Sequence, residues 1–526
     1  QKDDSFLTAE VMPRVMDVPK PHGLDKHALH QACLDFIGGY ENVAAEELAG
    51  NIEDMKDMDT LGSIMRFPLD DMRPMIATCY EQWMEDGLED CPENVRSILP
   101  YVQVILALSD KYTCVIANPP YMGAGNMNST LSEYVKTYYA EGKADLFSVF
   151  MLMGMERLQA NGKMAQINMQ SWMFLSSFEK LRNHFLQDYC IENMLHLGAR
   201  TFDELSGEVV QNTAFVLTNA EADEHTQGMY YRLVDGKNCA DKERLFLSNI
   251  CGNEDGNHIY YTNVTQNNFE KIPGSPVGYW ISEKIINAFK NRQLDSLCET
   301  RCGMATGRND YYLRNWYEVS TNRIYYSCKS SNFSIVSDKK WYPYDKAGEF
   351  RKWYGNRDFV VNWYHNGEEL QNTMYPDGSR VWGHNFNLDK LFLQHIGWSD
   401  IVSSTGGLSF RLFEKGFLFD GSANAIFESR EQSVSFLYLL AYSNSCIPEY
   451  VRPLLNPTIH FKPGNYLNLP FIYVNINRIN DLSEQNVNLS KQDWDAHETS
   501  WNFEQNPLVA LAQQCSESGI DIAGKS

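Results

Sequence analysis

The sequence predicts an α/β protein whose first part is the second half of a doubly wound sheet. Three observations predict it. Apolar runs of strand length alternate with helix-period segments from residue 112 to 197. A stiff loop, Asn118-Pro119-Pro120-Tyr121, follows the first of those strands directly. Beyond residue 219 the composition turns polar and then dense in Tyr and Trp, as a second folded unit would.

Residues 1 to about 50 hold little pattern. Pro13, Pro19 and Pro21 break up the start, and Gly38-Gly39 interrupts helix-like patches between Leu24 and Leu48. Asp59-Thr60-Leu61-Gly62 reads as a strand-end loop, with Asp59 either solvated or turned toward a ligand. Residues 70–110 read as helical, with Met72, Met75, Ile76 and Tyr80 on one face and Ile98, Val102, Ile105 and Leu106 on another. Tyr112–Ala117 reads as a short buried strand. Asp145-Leu146-Phe147 opens a helix that buries Leu146, Val149, Phe150 and Met153, with Asn161-Gly162 as its C-cap. Met164–Met169 is the next strand. Ser176 and Glu179 have capping-box spacing before a helix that buries Phe178, Leu181 and Phe185. Ile191–Leu197 reads as a strand, and residues 207–217 as a strand or hairpin.

The loop at Asn118 suggests a chemistry. It places an amide, two carbonyls and an aromatic ring at the carboxyl end of a strand, where ligands bind in open α/β sheets. Those groups suit methyl transfer to the exocyclic amine of a nucleobase. That amine is a poor nucleophile, because its lone pair is delocalised into the ring. The Asn118 side-chain oxygen and the Pro119 carbonyl would accept its two hydrogens. The Tyr121 ring would stack on a base flipped from the duplex. Base–aromatic stacking is worth roughly 1–3 kcal/mol, which helps offset unstacking. The competing reading is an ordinary Asn-Pro turn.

The net charge of −23 argues against a generally basic DNA-binding surface. The acids are uneven, however: Glu41–Thr60 carries seven against one base, and the end of the chain is acidic too. Between Lys339 and Tyr364 the balance reverses, with six bases against three acids. There Lys346, Arg351, Lys352 and Arg357 interleave with Trp341, Tyr342, Tyr344, Trp353, Tyr354, Trp363 and Tyr364, a pattern suited to phosphates and stacked bases. Arg308, in Thr306–Asp310, and Arg411, in Gly406–Arg411, lie in polar loops able to read groove edges. A Tyr/Trp core with solvated charges is the alternative. The twelve cysteines are scattered, and Cys298 with Cys302 lacks a second pair for zinc, so no metal is expected. Reduced thiols, no apolar run of about 18 residues and no signal pattern predict a cytoplasmic chain without a membrane span.

Longer stretches carry a family resemblance. ANPPYMGAGNMNSTLSEYVK (117–136), HLGARTFDELSGEVVQNTAFVL (196–217), NFEKIPGSPVGYWISEK (268–284), WYPYDKAGEFRKWYGNRDFVVNW (341–363) and LNPTIHFKPGNYLNLP (455–470) resemble the PglX family. These are the adenine-specific DNA methyltransferases of the bacterial BREX phage-defence system. The resemblance covers roughly residues 50 to 507. It implies the C-terminal part of a Rossmann-like S-adenosylmethionine-dependent methyltransferase sheet, followed by an α/β target-recognition domain. It implies S-adenosylmethionine as donor, adenine in double-stranded DNA as acceptor, and other phage-defence proteins as partners. Asn118, Pro119, Pro120 and Tyr121 match the family's catalytic loop. Phe202 falls where related enzymes place a second ring against the flipped base, and Asp59 and Asp145 are candidates for lining the donor pocket.

On this reading residues 1–235 are catalytic, 236–480 recognise DNA and 481–526 form an acidic tail. The family's glycine-rich cofactor motif has no counterpart here. Together with the start at Gln1, this leads us to expect a piece of a longer protein, with that motif upstream. A module that binds DNA or partners without catalysis stays open, as does the methylating half of a restriction–modification fusion.

Overall fold

The computed structural model describes residues 15–39, 42–87, 91–202, 210–250, 259–291, 294–403, 406–428 and 434–517. They fall into two compact units, Gln1–Glu270 and Lys271–Ser526. The first begins with helices Lys26–Phe36, Asn42–Asp54, Arg73–Glu85 and Glu93–Leu108. Leu29, Leu48, Ile76, Ile98, Val102 and Ile105 are buried among them. Gly38 and Gly39 both hold positive φ, 84° and 81°, which glycine tolerates and which ends the first helix.

Six strands follow: β1 Tyr112–Ala117, β2 Leu158–Met169, β3 Cys190–Gly198, β4 Asn212–Thr218, β5 Gln227–Arg232 and β6 Tyr260–Thr265. Their order in the sheet is β1-β2-β4-β3-β5-β6. β1 runs parallel to β2 and β3 parallel to β5, while β4 enters antiparallel between β2 and β3. The sheet is therefore mixed rather than wholly doubly wound. Helices Leu146–Glu156 and Glu179–Asp188 pack against it. Met164, Met194, Phe215 and Leu217 are buried on one face. The other face carries half-exposed Ala165, Ile167, Leu195, Ala214 and Val216.

Three local expectations are corrected here. β1 is an edge strand among the described residues, and its Ile116 is 79% exposed, so it is not buried. It pairs on one side only, and its outer side chains belong to the uncovered face. Asn161-Gly162 does not cap the helix, which ends at Glu156. Asn161 adopts φ 61° inside β2, where the register against β1 jumps between Leu158 and Lys163. The boundary expected near residue 235 falls inside the first unit, because β6 pairs with β5.

Among its described residues the second unit holds two four-stranded sheets. One has β13 Leu418–Phe419, β9 Trp341–Asp345, β10 Phe359–Asn362 and β8 Leu313–Asn315, in that order. The other has β12 Phe410–Phe413, β11 His395–Ser399, β14 Ala423–Glu428 and β7 Cys298–Cys302. Alternation along β14 builds two cores. Ala425 and Phe427 join Tyr342, Tyr344, Val361 and Trp363, while Ile426 joins Trp398, Phe410 and residues of helix Phe436–Asn444. The Trp341–Tyr364 rings are thus mostly core, as the alternative reading had it: Tyr342, Tyr344 and Trp363 have no exposure. The acidic stretch from 481 is not a detached tail up to Trp501. Helix Ile476–Asp495 packs on Phe436–Asn444, and Trp501 packs on Tyr326 and Phe417.

A Cβ at Gly303 would lie 2.1 Å from the Asp420 carbonyl oxygen, a backbone atom with no freedom to yield. Gly303→Ala should destabilise the second unit by about 1–3 kcal/mol in denaturant melts. Gly464→Ala, which meets open space, is the control and should leave stability the same or slightly raised.

Candidate active site

The loop leaving β1 stands at the sheet's carboxyl edge. Asn118 and Pro120 are exposed, Pro119 is buried and Tyr121 is half-buried. Backbone pairing ties the following residues to the next helix. Leu146 N–H donates to the Met122 carbonyl at 3.0 Å, and Ala124 N–H to the Ala144 carbonyl at 3.0 Å. The Asp145 carboxylate completes the clamp, accepting from Met122 N–H at 3.0 Å and Phe147 N–H at 3.3 Å. It is the N-cap of helix Leu146–Glu156, so one side chain satisfies both an orphan helix donor and a loop donor. Burial pushes its pKa up, against the backbone N–H groups that pull it down.

Tyr121 is held at both ends of its ring. Its hydroxyl oxygen accepts from Asn212 Nδ2 at 2.9 Å. Its ring meets Phe147 edge-on, with centroids 6.3 Å apart, and Phe147 packs on Phe178. Burial raises the phenol pKa, so the hydroxyl stays protonated. Behind it lies a buried network at the ends of β2, β3 and β4. Gln170 Nε2 donates to Gln211 Oε1 at 2.5 Å, and His196 Nε2 lies 2.8 Å from Gln170 Oε1. An amide oxygen only accepts, so Nε2 carries the imidazole proton. Burial, with help from the Arg232 and Lys242 charges, lowers the His196 pKa to about 3.

The remaining candidates are distributed differently. Asp145 is joined to the Asn118–Tyr121 loop, but as its clamp, and its ligand-lining role is not supported by that geometry. Asp59 stands exposed on helical turn Met58–Leu61, not on a strand-end loop. Phe202 is half-buried, immediately before residues 203–209, which lie outside the described residues.

In the second unit, Arg357 and Arg411 are corrected: they are 1% and 0% exposed and cannot reach phosphates in this structure. Arg357 forms a two-pronged pair with Glu414, at 2.5 Å to each oxygen, under the Tyr354, Phe413 and Phe417 rings. Arg411 Nη1 donates to the Arg351 carbonyl at 3.2 Å and the Ser409 hydroxyl at 3.3 Å. Arg351 pairs with Asp493 and lies over Trp494, and Lys352 donates to the Asn444 carbonyl at 2.8 Å. Lys346 pairs with buried Asp420 at 2.6 Å. It lines a cleft of about 490 Å³ with Thr306, Gly307, Asn309, His384 and Asn385. Arg308, half-buried, lies over the Tyr311 ring. Asn212, Gln170, Gln211 and His196 were not singled out by sequence reasoning. The one available signal was a polar Gln211-Asn212-Thr213 run opening an otherwise apolar strand.

The buried imidazole has a consequence for pH. Unfolded His196 takes a proton near pH 6.5, and the folded residue resists it down to about 3. The unfolded chain therefore binds more protons in that window. Stability should be full above pH 6.5 and fall as pH drops toward 3, by up to about 1.4 kcal/mol per pH unit from this group. In thermal melts at pH 7 and pH 5, His196→Gln should show the shallower acid-side loss. Equal slopes would assign the loss to other groups.

Comparisons with known proteins place the chain among methyltransferase sequences. The family described as Eco57I restriction-modification methylase matches residues 70–202. The adenine-specific methyltransferase PglX of Lacticaseibacillus casei (strain Zhang) is 41% identical over 414 residues, 78% of this chain and 33% of that protein. The adenine-specific methyltransferase BrxX of Escherichia coli O9:H4 (strain HS) is 35% identical over 453 residues, 86% of this chain and 35% of that protein. Among solved structures, the Type IIL restriction-modification enzyme MmeI in complex with DNA aligns with 92% of this chain and 61% of its own. Its identity is 13% and its TM-score 0.46, too distant to carry an argument. No helix among the described residues is long and apolar enough to cross a membrane. The chain is thus a homologue of the adenine-specific methyltransferases PglX and BrxX, and it spans about a third of their length.

Proposed function

We propose that this chain supplies the catalytic loop and the DNA-recognition region of an adenine-specific DNA methyltransferase that acts in bacterial phage defence with other proteins of that system. The observation that carries it is the exposed Asn118 at the carboxyl end of β1, next to a Tyr121 ring locked from two sides. A flipped adenine stacks on Tyr121. Its exocyclic amine gives one hydrogen bond to the Asn118 side-chain oxygen and one to the Pro119 carbonyl. Both acceptors draw the hydrogens away, and the nitrogen lone pair localises for attack on a methyl group. No general base is needed for the attack itself: the new N–C bond would form as the donor's bond to its methyl group breaks, and the surplus proton of the methylated amine then passes to solvent water.

The implied donor is S-adenosylmethionine, which would supply an electrophilic methyl group. Neither acid expected to line its pocket fits that role among the described residues: Asp145 is bound to loop backbone and Asp59 projects from a helical turn. The chemistry derived from this chain is therefore that of the acceptor base. On the DNA side, the reading rests on Lys346 lining the Thr306–Asn309 cleft and on Arg308, its neighbour in the chain, over the Tyr311 ring. Buried Asp420 holds the Lys346 ammonium in that cleft, where its remaining N–H groups could donate to a base edge.

The full-length protein should incorporate methyl groups into adenine of duplex DNA. Asn118→Ala should lower that rate about 10²–10³-fold, by analogy with loss of one polarising hydrogen bond. Equal rates would remove the loop from catalysis. Arg308→Ala should relax sequence preference at one base pair, costing about 1–3 kcal/mol in discrimination. Uniform weakening across sequences would make it a phosphate contact instead.

A further inference from the structure

We infer that Asn212 is a positioning residue for the methyl-transfer site, acting through the hydroxyl of Tyr121. The inference rests on reading Asn118–Tyr121 as the catalytic loop.

Tyr121 follows β1, whereas Asn212 opens β4, and β2 lies between them. Neighbouring strands are about 4.8 Å apart, so the two side chains and the bond joining them together reach across roughly two strand spacings. The Tyr121 side chain must therefore lie across the carboxyl end of β2. That makes its ring a shelf over the sheet edge, beside Asn118. Asn212 is well placed to fix the shelf. It is 1% exposed, and pairing on both sides of β4, with Met169 and with Gly198, sets its backbone position. Its Nδ2 makes two donations, to the Tyr121 hydroxyl at 2.9 Å and to the Asn168 carbonyl at 3.3 Å. The second bond determines which way the amide faces, so the nitrogen and not the oxygen meets the phenol.

A tyrosine held only by its Cβ turns about two torsions. Here the hydroxyl is tethered and one edge rests on Phe147, so both torsions are set before a base arrives. The Tyr121 hydroxyl is otherwise superfluous, since stacking needs the ring and not the oxygen. Asn212 supplies the reason for a tyrosine at this position rather than a phenylalanine.

The test is a double-mutant cycle in the full-length protein, with methylation of duplex DNA as the assay. Asn212→Ala and Tyr121→Phe should each lower kcat about tenfold, with KM for DNA little changed, as loss of one neutral hydrogen bond implies. The double variant should be no slower than either single variant, because each removes the same bond. With 2-aminopurine replacing the adenine that the parent methylates, both variants should flip the base but quench its fluorescence less, reporting looser stacking. Multiplicative effects in the double variant would overturn the inference, as would parent-level kcat for Tyr121→Phe. Should Asn212→Ala fail to fold, Tyr121→Phe alone decides through kcat and quenching. Asn118→Ala is run alongside: if it methylates like the parent, the reading of the loop fails, whereas a dead Asn118→Ala with an unaffected Tyr121→Phe sinks the Asn212 inference alone.

Discussion

The Asp145 carboxylate is the contact on which the first unit's site depends. A helix N-terminus leaves backbone N–H groups without partners, and a loop after a strand does the same. Asp145 closes one of each, Phe147 N–H and Met122 N–H, and so makes the loop and the helix one body. Two backbone bonds beside it extend the attachment. Phe147, the residue it caps, also supports the Tyr121 ring. A carboxylate half out of water is costly unless donors surround it, and here the donors are those of the element it organises.

Buried polar groups take two forms, neutral networks and cations. At the ends of β2, β3 and β4 the network is neutral: Gln170, Gln211, Asn212 and an imidazole held without its second proton. Neutral amides have fixed donors and acceptors, so they define geometry without attracting stray charge. Buried cations occur in both units: Arg182 and Lys242 in the first donate to backbone carbonyls, and Arg357 and Arg411 lie inside the second. Arg357 lies against three rings and pairs outward with the exposed Glu414, and Arg411 shares an interior without exposure with Asp345 and His395. Asp345 Oδ2 lies 3.6 Å from His395 Nε2. A buried guanidinium left without its partners costs several kcal/mol, so Arg357 and Arg411 belong to the architecture.

Burial of cations explains where sequence reasoning stopped. Arg351, Lys352 and Arg357 among Tyr and Trp look the same whether the rings meet bases or one another. Composition counts residues and does not say which way β9 and β10 face. Burial of Tyr342, Tyr344 and Trp363 between sheets takes the rings, and with them Arg357. The loop at Asn118 was legible because proline restricts backbone locally and a strand end is a local event. Asn212 was not, since its partner lies 91 residues away and nothing in its own neighbourhood names a tyrosine.

The chain's own order of residues thus determined the alternation of strands and helices around 112–197, the stiff Asn118–Tyr121 corner and the change of character beyond 219. All of these follow from neighbours within a turn or a strand length. Folding in three dimensions decided that β1 lies at an edge, that β4 runs antiparallel into the middle of the sheet, and that β6 extends the first unit to Glu270. It also decided which cations are buried and which side chain holds Tyr121. The reason is physical: periodicity and turn chemistry act along the backbone, whereas strand order, desolvation and hydrogen-bond partners are set by groups that only the folded chain brings together.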